Sequence, residues 1–148
     1  MNKRGFTLIE LLGVMAILGV LVAIAMPSLH SIRLGAALSS AHQDVSALLN
    51  RARWMAITSG RSSTTVALDG CAGTKCTAVV VKNGATNQVL ASANLDQYYA
   101  QVSATDFPLN FDNRGFLASG QTPTVTVEST KVSGTKILTV SPLGKVSS

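Results

Sequence analysis

The residues that could do chemistry begin with one carboxylate, Glu10, in a stretch that is otherwise uncharged from Gly5 to Pro27. A carboxylate inside a membrane helix costs about 2.5–3.5 kcal/mol on insertion scales, so it needs a partner or an escape to the interface. If the chain is cut after Gly5, the new amino group belongs to Phe6, four residues before Glu10. Two interpretations stay open. Glu10 neutralises the amino terminus of a neighbouring filament subunit and sets axial register, or it snorkels to the membrane interface.

Two cysteines, Cys71 and Cys76, lie four residues apart in a stretch that contains glycine. If this part of the chain lies outside the cytoplasm, a local disulfide is expected, and it would contribute roughly 2 kcal/mol. The alternatives are two free thiols or half of a metal site. The chain has no second cysteine pair, and His30 and His42 are about 18 Å apart along one helix, so they cannot share a metal ion.

The sequence has none of the usual signatures of catalysis. It contains no phosphate-binding loop, no Gly-x-Ser-x-Gly elbow and no pair of carboxylates beside a nucleophile. We therefore expect no catalytic residues, no metal and no cofactor. The chain is expected to be a substrate of an enzyme instead.

Length and composition limit the architecture that must position these residues. With 148 residues, 47% of them hydrophobic and 13% charged, the chain suits one membrane segment and one modest domain. From Ser63 onward, Thr, Val, Ser, Gly and Asn dominate, which is typical of a β-rich domain. The formal charge is +5, and Lys3 and Arg4 account for two of these charges. The remaining excess is compatible with an anionic partner but does not indicate one.

The first 27 residues have the pattern of a membrane segment. A short basic leader, which includes Lys3 and Arg4, precedes an apolar run from Phe6 to Met26 that would form a helix of about 31 Å. The basic residues would hold this leader on the cytoplasmic side. A cleaved secretory signal is disfavoured because no polar small-x-small region follows the run. Pro27 predicts a kink or local loosening, or else a helix that restarts there.

A second helical pattern follows Pro27. Apolar residues recur in steps of three and four, which predicts an amphipathic face that packs on a sheet, and the helix should run from about Thr7 to about Thr58. Ser59 and Gly60 are a stop signal. The apolar positions are Leu34, Leu38, Ala41, Val45, Leu48, Ala52 and Met55.

The rest of the chain alternates short β-type runs with turn residues. The cysteine loop should join the first two strands, Asn83-Gly84 should turn into the third, and 96–105 should be loop with one short strand. The sequence thus predicts an antiparallel sheet, or two small sheets, packed on the helix. The expected strands are Ser63–Leu68, Thr77–Val81, Gln88–Ala91, Leu109–Phe111, Thr124–Glu128 and Lys136–Val140.

The amino-terminal string resembles the class III signal of type IV pilins and type II secretion pseudopilins. That signal has a basic leader ending in Gly, an aromatic first mature residue and Glu at the fifth mature position, which Gly5, Phe6 and Glu10 fill here. The resemblance implies an α+β type IV pilin fold, cleavage after Gly5 by a prepilin peptidase and N-methylation of Phe6. The expected regions are a leader (1–5), a transmembrane and assembly helix (6–27), an amphipathic helix (28–60) and a β-rich head (61–148).

Two weaker motifs are similar to the GspH/FimT family. One is Phe111–Gly115, and the other is Ser141–Val146 after a Val/Thr strand. This resemblance implies a minor pilin of the FimT/FimU type that joins a pilus and helps to start its assembly. The alternative of the same architecture is a type II secretion minor pseudopilin. Either would be a single-pass inner-membrane protein with a periplasmic head, and would then join a filament of other pilins.

A third alternative is a DNA receptor in natural transformation. Some FimT-type minor pilins bind DNA through a carboxy-terminal Gly-Arg-x-Arg pattern, and this chain has Lys145 after Gly144 but Ser147 in place of the second arginine. Fewer cations weaken phosphate binding. Lys131 and Lys136 flank a turn at Gly134 and could form a small patch with Lys145, and Arg114 is a further candidate. The other interpretation is that these are scattered solubilising charges.

Overall fold

A computed structural model describes residues 7–58, 64–117 and 122–148. One long helix, α1 (Leu8–Thr58), precedes eight strands. The chain divides after Arg33 into two compact units. The first contains the amino-terminal part of α1. The second contains the remainder of α1 and all the strands. The predicted helix from about Thr7 to Thr58 is confirmed to within one residue.

In the first unit, the side chains from Leu8 to Ile24 are exposed all round the helix. This part of α1 is long and apolar enough to cross a membrane. The backbone is helical through residues 25–28, but the side chains of these four residues are not described. The kink at Pro27 therefore stays a prediction.

In the second unit, α1 buries one face from Leu38 to Ala56. The predicted stripe is confirmed at its centre, where Leu38, Ala41, Val45, Leu48 and Ala52 are buried. At its ends Leu34 is only half-buried, and Met55 packs on the margin of the core. Two fully buried residues, Leu49 and Ala56, were not part of the predicted stripe. Each lies four residues from another core position, so the buried face is wider than a single line of side chains.

The strands form one antiparallel sheet in the order β5-β1-β2-β4-β6-β7-β8, and β3 pairs with the second half of β2. Their inward residues, among them Val66, Val102, Val127 and Leu138, form one core with the buried face of α1. The strands are β1 (Thr64–Ala72), β2 (Lys75–Asn83), β3 (Val89–Asn94), β4 (Ala100–Ala104), β5 (Leu109–Phe111), β6 (Thr124–Ser129), β7 (Thr135–Val140) and β8 (Val146–Ser147).

The sheet differs from the prediction in two places. Strands β1 and β2 run on through the cysteines, so the pair lies at the end of a hairpin and not in a loop between strands. The segment 96–105, predicted as loop with one short strand, is confirmed: it contains a 3-10 turn, Asp96–Tyr98, and then β4. Strand β8 was missed because it has only two residues, too few for an alternating pattern. It is held by pairing with β7.

Candidate functional site

The processing residues expected at the amino terminus, Gly5 and Phe6, lie outside the described residues. Glu10 lies in the first turn of α1 and is exposed. Within the part of the chain that the structure describes, its carboxylate forms no ion pair. An exposed carboxylate on an otherwise apolar helix surface is therefore available to a group from another molecule.

A local role of Glu10 escaped the sequence analysis. Thr7 precedes the first helical residue, and the backbone N–H of Glu10 lies 3.1 Å from the Thr7 carbonyl oxygen and 3.4 Å from its Oγ1. Thr followed three residues later by Glu is the pattern of a capping box, in which the carboxylate also favours the helix amino terminus. Glu10 thus occupies a helix-start position as well as the candidate filament contact.

The two cysteines form a disulfide, Cys71–Cys76, between directly opposed residues of β1 and β2. Gly73, at a positive φ of 68°, helps to make the tight turn beyond the next pair, Ala72 and Lys75. Among the described residues no cysteine is free. The free-thiol and metal-site alternatives are therefore wrong for this structure.

We expect reduction of the Cys71–Cys76 disulfide to lower the free energy of unfolding by about 2 kcal/mol, since a six-residue ring is then opened in the unfolded chain. Urea denaturation with and without reductant measures this. Cys76 is buried and Cys71 is exposed. Reduction keeps a sulfur atom at the buried position, so it disturbs the folded state less than replacing both cysteines with serine. The Cys71→Ser/Cys76→Ser variant is the control and should not respond to reductant. An unchanged wild-type midpoint would show that the hairpin needs no crosslink.

The three lysines proposed to form one patch lie near both ends of one strand, β7. Lys131 lies in the turn between β6 and β7, with its Nζ 6.0 Å from the centre of the Tyr99 ring. Lys136 lies one residue inside β7, opposite Val127. Lys145 follows the other end of β7, where its carbonyl oxygen accepts from the Ser141 N–H. The strand between these ends is about 17 Å long, and the shared patch stays a prediction.

Lys145 belongs to a corner where two loops meet the last turns of α1. A Cβ on Gly115 would lie 2.8 Å from Ile57 Cδ1 and 3.0 Å from Arg53 Cγ, and a Cβ on Gly144 would overlap the Gly115 carbonyl oxygen. The Leu117 N–H donates to the Pro142 carbonyl oxygen at 3.0 Å. The two short motifs near the carboxyl end are thus the two halves of one contact.

The loop after β5 is shaped by Asp112. Its Oδ1 accepts from the backbone N–H groups of Arg114 (2.9 Å) and Phe116 (2.8 Å). This bonding brings Gly115, at φ 78°, over the helix. The turn signal Asp112–Gly115 in the sequence is confirmed, and its function in the fold is to seat this loop on α1.

A second contact between α1 and the sheet side of the head joins Tyr98 and Asp44. The Tyr98 hydroxyl donates to Asp44 Oδ2 at 2.7 Å. This hydrogen bond, with desolvation and the carboxylate charge, raises the pKa of Tyr98 above its usual value. The neutral phenol is the bonded form, so its contribution to stability is present below the pKa of an unfolded tyrosine. It is lost as pH rises through the raised folded pKa.

We expect Asp44→Asn to bring the pKa of Tyr98 down towards the usual range, because the carboxylate charge is removed. Ultraviolet absorbance during an alkaline titration follows the two tyrosines of the chain, and Tyr98→Phe identifies which transition belongs to Tyr98. An identical titration curve for wild type and Asp44→Asn would contradict the assignment.

No group of three or more His, Cys, Asp or Glu side chains suited to a metal ion occurs in residues 7–58, 64–117 and 122–148. His30 and His42 both lie on α1, twelve residues apart. The described residues offer exposed surfaces and, on the apolar part of α1, the exposed carboxylate of Glu10 for assembly.

Comparison with known proteins agrees with this structural reading. The family described as "Prokaryotic N-terminal methylation motif" matches residues 1–26. Curated protein sequences give no match. Two crystal forms of the type IV minor pilin FimU from Pseudomonas aeruginosa have a similar fold. One gives a TM-score of 0.61 at 19% identity over 74% of this chain and 86% of that one. The other gives 0.59 at 18% over 74% and 90%.

The two findings cover different parts of the molecule. The motif covers the apolar amino-terminal segment, and the structural similarity covers about three-quarters of the chain, so it must include most of the head. A long amino-terminal helix followed by an antiparallel sheet is the type IV pilin fold, as the sequence predicted. The chain therefore has the type IV pilin fold, and its first 26 residues match the prokaryotic N-terminal methylation motif.

Proposed function

We propose that this chain is a minor type IV pilin, a structural subunit that enters a pilus filament and helps to prime its assembly. The observation that carries the proposal is the presence, in one chain, of a pilin methylation motif and a fold similar to a type IV minor pilin. Pilins are structural subunits and not enzymes. The two short motifs that resemble the GspH/FimT family contact each other in the head.

The proposal includes a maturation pathway. A prepilin peptidase removes residues 1–5 by cutting between Gly5 and Phe6, and Phe6 is then N-methylated. Residues 6–27 anchor the subunit in the inner membrane and later enter the filament core, with Pro27 as a site of loosening. Residues 28–60 carry the head, 61–148, on the periplasmic side. The exposed apolar surface from Leu8 to Ile24 supports this role, because it needs lipid or other subunits around it.

In the filament, we assign Glu10 to the registering contact. Its carboxylate would pair with the Phe6 amino group of an adjacent subunit inside an apolar core. Because a charge left alone in such a core is heavily penalised, the pair would favour one axial offset between subunits. The exposure of Glu10 in the single chain supports the assignment.

The experiment that tests the function is to detect this subunit in sheared, purified filaments of the organism that encodes it, and to count filaments after deleting its gene. A minor pilin should be present at low abundance, and its loss should reduce filament number far more than its abundance would suggest. Absence from pili, together with a secretion defect on deletion, would assign the chain to the type II pseudopilins instead.

DNA capture remains a second proposal, and the candidate surface is now the end of the head that carries Lys145. Lys145 follows Gly144, whose Cβ position lies 3.2 Å from Arg53 Nε, whereas Lys136 lies near the other end of β7. Titrating the purified protein with duplex DNA at low and moderate salt tests it, because phosphate contacts make binding strongly salt-dependent. Binding that is insensitive to salt and unchanged by Lys145→Ala would rule out a receptor role at this end of the head.

A further inference from the structure

The corner where the two loops meet α1 combines exposed large side chains with the half-buried Arg53. We call it the corner surface. It contains four apolar residues and three cations: Trp54, Ile57, Phe116, Leu143, Arg53, Arg114 and Lys145. All of them belong to the second compact unit.

The glycine contacts bring the two loops that carry these residues onto the last turns of α1. Gly115 packs on Arg53 and Ile57, and Gly144 packs on Arg53 and on Gly115 itself. Every other member is the direct chain neighbour of one of these contacting residues. Trp54 follows Arg53, Arg114 and Phe116 flank Gly115, and Leu143 and Lys145 flank Gly144.

The apolar members are more exposed than a stable head requires. Trp54 is 65% exposed, Leu143 63%, Ile57 40% and Phe116 37%. Trp54 lies outside the buried stripe of α1, so its position is not explained by the core. Exposed apolar side chains that cluster within a polar rim mark sites of protein association.

The cationic members lack partners within the chain. In the ranges 7–58, 64–117 and 122–148, none of the three forms an ion pair. The buried Nε of Arg53 has no hydrogen-bond acceptor there. The nearest carboxylate in the sequence, Asp112, is turned to the backbone amides of its own loop. The corner surface therefore presents unneutralised positive charge around exposed apolar groups.

We propose that the corner surface docks an acidic segment of another pilin-type subunit. The inference rests on the proposed function, since it names a head contact made within the filament or its initiating complex. Trp, Phe and Arg are enriched at protein interfaces. A few large side chains that become fully buried there supply most of the binding energy. Carboxylates of the partner would neutralise Arg53, Arg114 and Lys145 and steer the encounter.

A protein partner fits this surface better than a nucleic acid. Nucleic-acid affinity depends mainly on the number of phosphates neutralised, and the corner surface has only three cations. Four of its seven members are apolar, which phosphates do not use. The charge complementarity expected of the partner is therefore a few carboxylates beside an apolar patch.

The test compares two variants with two matched controls in the full-length subunit. Trp54→Ala removes the aromatic anchor, and Arg114→Glu/Lys145→Glu reverses two exposed charges. Ile137→Ala removes another exposed apolar side chain (54% exposed) on β7, and Arg51→Glu/Lys131→Glu reverses two charges elsewhere on the head. The amount of subunit in sheared filaments is measured relative to its amount in membranes, which reports any folding defect separately.

We expect each corner variant to reduce incorporation by about tenfold or more, the size of a hot-spot loss, while both controls stay close to wild type. A photocrosslinking amino acid at position 143 in wild-type filaments should then give a product whose partner peptide is acidic and comes from a pilin-type subunit. Wild-type subunit absent from filaments would refute the proposed function. Normal incorporation of the corner variants would refute this inference alone.

Two further results would also overturn the inference. One is a crosslink at position 143 only to nucleic acid. The other is normal incorporation of Arg114→Glu/Lys145→Glu combined with loss of duplex DNA binding. Either would mean that the corner surface serves the receptor role and not subunit docking.

Discussion

Replacing Gly144 with alanine is expected to lower the free energy of unfolding of the head by about 3 kcal/mol or more. Gly144 has φ 73°, where an L side chain costs roughly 1–2 kcal/mol. The added Cβ would also overlap the Gly115 carbonyl oxygen and would lie 3.2 Å from Arg53 Nε. The obstacle is backbone, which cannot move aside as a flexible side chain can. The Ser141–Lys145 loop would therefore have to move and lose its packing against α1.

Gly73→Ala is the matched control. Gly73 has φ 68°, so alanine there meets the same backbone penalty, but no atom lies within 4 Å of its Cβ position. We expect a loss of only about 1 kcal/mol at that site. Urea denaturation of both variants beside wild type separates backbone strain from the collision. Equal losses would mean that the two loops are not tightly seated on each other.

The same comparison explains why the carboxy-terminal motifs could be noticed in the sequence but not interpreted there. Gly, Asn and Asp favour turns locally, so Asp112–Gly115 predicted a turn. Ser141–Val146 was recognisable only as a motif similar to a family. That Gly144 packs on the carbonyl of Gly115 depends on residues 29 positions apart. Local propensity carries no information about such a contact.

The helix and the strands were predictable for the opposite reason. The 3.6-residue period of α1 and the Val/Thr alternation of β6 are repeated along each element, so each residue supports its neighbours' assignment. The core positions Val45 and Val127 agree with these periods and are buried. Strand β8 has two residues, and only its pairing with β7 makes it a strand.

The surface charges were the least predictable part. Lys131, Lys136 and Lys145 are close in sequence, and a strand between them keeps the first and last apart. Arg53 lies off the predicted stripe of α1, yet the fold brings Gly144 against it. Trp54 was the one available signal. A tryptophan on the polar side of an amphipathic helix has no role in the core, so a surface role could have been suspected there.

Substitution of Glu10 by glutamine is expected to reduce incorporation of the subunit into filaments by tenfold or more. In the proposed filament core, glutamine would leave the neighbour's Phe6 amino group charged and unpaired. Breaking a buried pair in this way typically costs about 3–5 kcal/mol. The measurement is the ratio of subunit in sheared filaments to subunit in membranes.

Glutamine is the informative replacement because it separates the proposed registering charge of Glu10 from its position at the start of α1. A capping box accepts Gln as well as Glu at the position of Glu10. Glu10→Gln therefore preserves the start of α1 after Thr7 and removes only the charge. Thr7→Ala is the converse control, since it removes the cap and keeps the carboxylate. If Glu10 acts through charge, Glu10→Gln should fail like Glu10→Ala, and Thr7→Ala should assemble nearly normally. If Glu10 only starts the helix, Glu10→Gln should assemble normally and Thr7→Ala should be impaired. The registering contact would then have to be sought elsewhere on α1.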